Sequence, residues 1–292
     1  MVRGIGDDCA LVRVRAGHEL VVTTDLLIEG RHFRRGAAPR ALGHKALAVN
    51  LSDLAAGGAT PRWFTLALAL PSANPRWLRD FSQGLFALAR RHAVELIGGD
   101  TTRGPLLTIC VTALGEVPSG VAMYRAGARP GDDIWVSGEL GGAALALAHP
   151  EVVAVAQRLH RPEPRVELGE RLRGLARAAI DVSDGLAGDL GHILERSQVG
   201  AVVEYARIPK PAAFEQFREL ERDCVLSGGD DYELVFTAAQ PQRAEIEALS
   251  RELNTPLTRI GAIQSGAPKL VVLDPAGKPI AHRGGYDHFA AP

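Results

Sequence analysis

Six short polar segments constrain what this 292-residue chain can fold into. Each sets aspartate beside glycine, a hydroxyl or an amide. They are Gly4-Ile5-Gly6-Asp7-Asp8, Thr23-Thr24-Asp25, the Asn50 and Asp53 pair, Gly98-Gly99-Asp100, Asp181-Val182-Ser183-Asp184-Gly185 and Gly228-Gly229-Asp230-Asp231. Most fall where an apolar run stops or a helical pattern starts. Folds that alternate strands and helices gather ligands at such junctions. The 32 glycines are about 11% of the chain against a typical ~7%, an excess suited to tight turns and close backbone approach.

Between these segments the pattern alternates. Short strands are expected at residues 9–14 and 20–24. Residues 44–56 read as a helix stopped by Gly57-Gly58, and 63–70 as a strand ended by Pro71. Asn74-Pro75 is an N-cap followed by proline at the first helical position, predicting a helix to about residue 92. Strands follow at 94–97 and 106–117. Residues 118–133 carry Pro118, Gly120, Gly127, Pro130 and Gly131, which is linker chemistry. The boundary is therefore placed there, giving domains 1–117 and 118–292. The second half reads as strands at 134–137, 178–182, 202–205, 232–237, 259–263 and 270–273. Helices are expected after Gly138–Gly142 and at about 165–176, 185–197 and 241–253. The mixture predicts an α+β fold with helices on one face of each sheet.

Composition excludes several classes. Lys+Arg 33 against Asp+Glu 34 leaves a formal charge of -1, so no basic field for nucleic acid or an anionic membrane is present. Aromatics are 5%, too few for a base-stacking platform. No apolar run approaches a membrane span, and the N-terminus shows no signal-peptide core. Cys9, Cys110 and Cys224 are far apart and odd in number, which fits a reduced, cytoplasmic setting.

Each polar segment also fits ordinary structure: Asp184 reads as a helix N-cap, Asp53 as a solvated helix face. Taken jointly they suit magnesium, a hard cation that binds oxygen, because converging carboxylates repel unless cations neutralise them. Several Mg²⁺ ions with a polyphosphate would balance the charge. No P-loop, kinase catalytic-loop set, GxSxG or HExxH competes. The run Gly138–Gly142 suits either phosphate binding at a helix start or close helix–strand packing. Arg103 and Arg125 are phosphate partners or surface arginines, and His32 is a structural group or a substrate contact.

The segments 4–11, 23–25, 30–33, 45–56, 96–104, 179–186, 227–234 and 285–289, in that order, resemble the motifs of the thiamine-monophosphate kinase family, within the superfamily of aminoimidazole ribonucleotide synthetase-like ATP-binding proteins. The resemblance implies two α+β domains, a homodimer formed through the N-terminal sheets and ATP held between domains. It also implies phosphoryl transfer from ATP to thiamine monophosphate, giving thiamine diphosphate. Carried over residue by residue, it places Mg²⁺ on Asp8, Thr23, Thr24, Asp25, Asp53, Asp100, Asp181 and Asp184. ATP contacts fall on Gly99, Asp100, Arg125 and Ser183, and thiamine-phosphate contacts on His32, Asp230 and Tyr286. Asp25, Asp181 and Asp184 stand nearest the chemistry. Trp63, Tyr286 and Phe289 are the aromatic candidates to cover a thiamine ring. Two departures are visible. The family usually has a helix before the Gly4 motif, whose lack is expected to loosen the dimer or free the first segment. The family also often has glutamate where this chain has Asp230.

Overall fold

The computed structural model describes residues 1–285. They fall into two compact units, residues 1–122 and the chain from residue 123 onward. Phe289 and Tyr286, both named above, lie outside the described residues.

The first unit is a four-stranded sheet under two helices. In chain order these are β1 (His18–Ile28), α1 (Pro39–Ala56), β2 (Thr60–Leu70), α2 (Pro75–Arg91), β3 (Glu95–Arg103) and β4 (Thr108–Pro118). The sheet order is β1-β4-β2-β3. The first three strands pair antiparallel, while β2 and β3 pair parallel, with α2 as the crossover. Helix α1 starts earlier than the sequence pattern suggests, because Pro39 fits its first turn, where no backbone N–H is needed. It is buried almost throughout and packs on β1, β2, β4 and α2. Asn74 caps α2 as expected, accepting from the N–H groups of Arg76 and Trp77 at 3.0 and 3.2 Å. Phe81, Leu85, Leu88 and Ala89 form the buried stripe of α2.

The two helices meet backbone on backbone. A Cβ on Gly43 would lie 2.1 Å from the Phe81 carbonyl oxygen, and one on Gly84 would lie 1.8 Å from that of Arg40. Only hydrogen fits at either position.

The strand expected at residues 9–14 does not form. Leu11 makes an isolated bridge with Arg3, and residues 12–15 are irregular. Alternation at Val12 and Val14 had suggested a strand, but no neighbouring strand is there to take its backbone groups. The segment is fastened instead through Arg15, whose backbone N–H and Nε reach the buried carboxylate of Glu116 at 2.9 and 2.6 Å. Arg62 Nε reaches the same carboxylate at 3.1 Å.

The second unit contains β5 (Asp133–Ser137), α3 (Gly142–Ala148), α4 (Val153–His160), α5 (Val166–Leu172), β6 (Ala176–Asp181), α6 (Leu186–Ser197), β7 (Gly200–Glu204), α7 (Arg218–Ser227), β8 (Leu234–Ala238), α8 (Arg243–Glu252), β9 (Leu257–Gln264) and β10 (Leu270–Leu273). Its six strands run in the order β10-β7-β9-β5-β8-β6. Only β10 and β7 are parallel. Ile134, Val136, Ile180 and Val235 from the sheet join Leu190, Ile193 and Leu194 of α6 and Val225 of α7 in one core. Trp135 stacks on its register partner Phe236, ring centroids 6.5 Å apart. The helix expected at 165–176 shortens to α5, because the chain enters β6 at Ala176.

The α1–α2 contact yields a stability prediction. Gly43→Ala should lower unfolding free energy by about 1–3 kcal/mol, as overpacking does, despite alanine's better helix propensity. Urea unfolding followed by circular dichroism measures it.

Candidate functional site

In the first unit, β1 and α1 bring part of the predicted set together. Asn50 and Asp53 are three residues apart and therefore share one face of α1. Thr23 Oγ1 donates to the Asp53 carboxylate. The backbone N–H of Asp25 donates to Asn50 Oδ1 at 3.2 Å. Thr24, on the opposite side of the strand, shares a 2.8 Å hydrogen bond with the Thr112 hydroxyl of β4. Period-two alternation separates the neighbours: Thr23 faces the helix and Thr24 the open face.

Along that open face, Leu20, Val22 and Leu26 of β1 are exposed, Val22 by 55% and Leu26 by 48%. Ala67 of β2 is exposed as well. The helices cover only the other side.

Gly99 and Asp100 sit on β3, the edge strand. Gly99 has φ +152°, and a Cβ there would lie 1.9 Å from the Leu66 carbonyl oxygen, so β2 itself demands glycine. Asp100 is exposed, opposite Ala67 in register. Asp8 is exposed in the first segment, its N–H donating to Asp7 Oδ1 at 2.9 Å, and Asp7 pairs with Arg3 at 2.5 Å. The His32 ring is fixed by its turn: Nδ1 accepts the Ile28 N–H at 3.0 Å, which leaves the ring proton on Nε2. Trp63 is buried at 5% exposure, in the core rather than at a ligand surface.

In the second unit, two motifs distant in sequence interlock. The Asp230 N–H donates to the Ser183 carbonyl at 2.9 Å, the Tyr232 N–H to that of Val182 at 2.8 Å, and the Val182 N–H to that of Glu233 at 2.8 Å. A Cβ on Gly229 would lie 2.2 Å from the Ser183 carbonyl oxygen, so glycine permits the approach. Asp230 takes φ +70°, a left-handed conformation that aspartate tolerates. Its Oδ1 accepts the Tyr232 hydroxyl at 3.0 Å. Asp181 ends β6 and is buried, while Ser183 and Asp184 are half-buried above it. The unit thus gathers Asp181, Ser183, Asp184 and Asp230 at one sheet end.

Asp184 does not cap α6, since Gly185 occupies the N-cap position. Asp189, inside the first turn of α6, instead braces the loop before the helix: its Oδ2 accepts the N–H groups of Ser183 and Asp184, both at 3.0 Å. Burial raises the Asp189 carboxyl to about 7, against those N–H donors and the positive field of Arg125. Asp189 was not singled out in the sequence. The available signal was an acid in the first turn of the expected helix.

Asp231 has a structural role that its motif concealed. Its carboxylate accepts the N–H groups of Gly141 and Ala143 at 2.6 and 3.2 Å, closing the start of α3. Within residues 138–142 the Gly141 N–H therefore faces a carboxylate of the same unit, while the Gly138 and Leu140 N–H groups bond to the Pro256 and Pro209 carbonyls. Beside it, buried Glu233 pairs with Arg165 at 2.6 and 2.7 Å and accepts the Ser137 hydroxyl at 2.5 Å. Among the described residues no three His, Cys, Asp or Glu side chains already form a metal cluster.

Residues 6–117 match the AIR synthase related protein, N-terminal domain, and residues 129–272 match the AIR synthase related protein, C-terminal domain. The thiamine-monophosphate kinase of Escherichia coli K12 is 43% identical over 302 aligned residues, covering 99% of this chain and 92% of that protein. The crystal structure of the thiamine-monophosphate kinase of Stenotrophomonas maltophilia is 50% identical, with a TM-score of 0.88 over 95% of this chain and 91% of that one. A solved complex of AaThiL with AMPPCP and TMP is 30% identical, with a TM-score of 0.83 over 94% of this chain and 89% of that one.

Burial also raises the Asp231 carboxyl, from 3.8 to about 7. Between those values the folded chain keeps a proton that the unfolded chain has lost, so this group subtracts stability as pH rises through the window. Asp231→Asn should flatten that slope. Urea midpoints at about pH 5 and about pH 8 should then fall less for the variant than for the parent.

Proposed function

The chain belongs to the family of thiamine-monophosphate kinases, and on that premise we propose that it transfers the γ-phosphoryl group of ATP to the phosphate of thiamine monophosphate. The products are thiamine diphosphate and ADP. One observation carries the reading furthest: a relative with this two-domain fold has been solved holding AMPPCP, an ATP analogue with a carbon bridge, together with TMP. Donor and acceptor therefore occupy that fold at the same time.

The chemistry asks little of a base. A phosphate oxygen of the acceptor is already anionic at neutral pH, so a P–O bond can form to the γ-phosphorus as its bond to the β-bridging oxygen breaks. What the protein must supply is alignment and relief of charge. The donors present fit Mg²⁺, since carboxylate and hydroxyl oxygens are what a hard cation takes. Thr23 and Asp53 already lie in contact, with Asp25 beside them on β1. We assign metal binding to these three and to Asp8, Thr24, Asp100, Asp181 and Asp184. Bound there, Mg²⁺ would neutralise phosphate charge.

The remaining roles follow from placement. Arg125 and Ser183 are assigned to the nucleotide, with Gly99 and Asp100 contributing from β3. His32 presents Nε2–H as a donor suited to the acceptor's phosphate, since Nδ1 is held by the turn. Asp230 lies where its backbone is locked to Ser183, and it is assigned to the thiamine side together with Tyr286. No helix among the described residues is long and apolar enough to cross a membrane. The cytoplasm, where ATP is plentiful and cysteines stay reduced, is the proposed location. A homodimer is proposed through the open face of the first sheet, where Leu20, Val22 and Leu26 are exposed on one strand.

Purified protein with ATP, Mg²⁺ and thiamine monophosphate should yield thiamine diphosphate and ADP in equal amounts by chromatography. ADP with free phosphate and no thiamine diphosphate would move the acceptor elsewhere in the superfamily. In the same assay Asp184→Asn should lower kcat by about a hundredfold or more with the fold retained; near-normal turnover would remove Asp184 from the mechanism. Val22→Glu should shift the protein to monomer in light scattering, because a buried unpaired charge opposes the sheet contact.

A further inference from the structure

We propose that Gly188 and Gly285 form a backbone clasp that holds the chain just before Tyr286 against the Asp184 loop and thereby sets the grip on thiamine monophosphate. The inference rests on the reading above that Tyr286, the next residue, serves thiamine monophosphate.

The clasp is a contact that side chains would forbid. A Cβ on Gly188 would lie 2.5 Å from Gly285 Cα and 2.9 Å from its nitrogen. A Cβ on Gly285 would lie 3.0 Å from Gly188 Cα, 3.1 Å from the Asp184 carbonyl oxygen and 3.4 Å from Asp184 Cβ. One residue pair thus joins the first turn of α6 to the chain just before Tyr286, directly against Asp184. A second tie lies two residues earlier, where Ser227 Oγ donates to the Arg283 carbonyl at 3.2 Å. Ser227 opens the segment that carries Asp230, so the terminal strap is fastened to both motifs at the end of the sheet.

Neither glycine is needed for its own conformation, because neither has a positive φ. Helix propensity opposes glycine at 188, costing about 1 kcal/mol relative to alanine. Close approach is what accounts for it. Gly191, one turn further along α6, has nothing within 4 Å of a Cβ. It offers the same propensity change without the contact.

Gly188 is thus a positioning residue. It touches no substrate but fixes the backbone at Gly285, the residue before Tyr286. A merely structural role predicts that alanine at 188 lowers stability through this clash but leaves both KM values alone, whereas alanine at 191 should stabilise the helix. The clasp predicts a split. Gly188→Ala should raise KM for thiamine monophosphate by about tenfold, with KM for ATP and kcat within about twofold. Gly191→Ala should leave all three unchanged. Gly285→Ala, whose contacts are looser, should give a smaller rise in the same constant, and it keeps the test open should Gly188→Ala fold poorly. Tyr286→Ala provides the reference. If Tyr286→Ala raises KM for thiamine monophosphate while Gly188→Ala matches Gly191→Ala, the clasp is overturned and the substrate reading stands. If Tyr286→Ala leaves that constant unchanged, the substrate reading fails and the clasp fails with it.

Discussion

The second unit depends on one short stretch of backbone pairing, between residues 182–183 and residues 230–233. Three hydrogen bonds of 2.8–2.9 Å hold it, and Gly229 makes it possible by presenting no Cβ to the Ser183 carbonyl. Through it Asp181 and Ser183, at the end of β6, keep a fixed distance from Asp230, which precedes β8. Backbone bonds suit the task. Their geometry is set by planar peptides rather than by flexible side chains. Residues at the surface of the loop can therefore be charged without being loose.

Buried carboxylates complete the frame at some energetic cost. Asp189 and Asp231 each accept two backbone N–H groups, yet burial still raises both to about 7. Glu233, a short distance away, is held by Arg165 and Ser137. A buried carboxylate with satisfied donors fixes a loop more rigidly than an apolar contact would, because removing one partner strands the other. Rigid support for the Asp181, Asp184 and Asp230 side chains is what metal-assisted phosphoryl transfer requires, since the substrate must be aligned before the bond breaks.

The sequence showed the alternation of strands and helices clearly, because the apolar periods and the Asn74-Pro75 start signal are local. It showed the aspartate segments for the same reason. It did not show α4 or α7. Both are short, and the buried side chains of α7 are confined to Cys224, Val225 and Leu226 at its end. Residues 9–14 have strand composition but no partner strand, and pairing is not a local property. The capping role of Asp231 was hidden likewise, since α3 lies 88 to 90 residues away from it. The glycines at 43, 84 and 188 carry no local signal that sets them apart, and Gly99 stands out only as a nucleotide contact. Only the packed structure shows that each faces another backbone.

The buried Glu116 carboxylate has a consequence for Asp8. By gripping the backbone and side chain of Arg15 while also holding Arg62, it acts as a mooring post for the chain before β1. Seven residues separate that post from Asp8, a reach of at most about 25 Å when fully drawn out. Within so small a volume, one carboxylate is equivalent to a ligand in the millimolar range. An exposed acid on the first segment is thereby kept at high local supply for any cation bound near the first sheet, and freeing Arg15 from Glu116 would lengthen the tether and lower that supply.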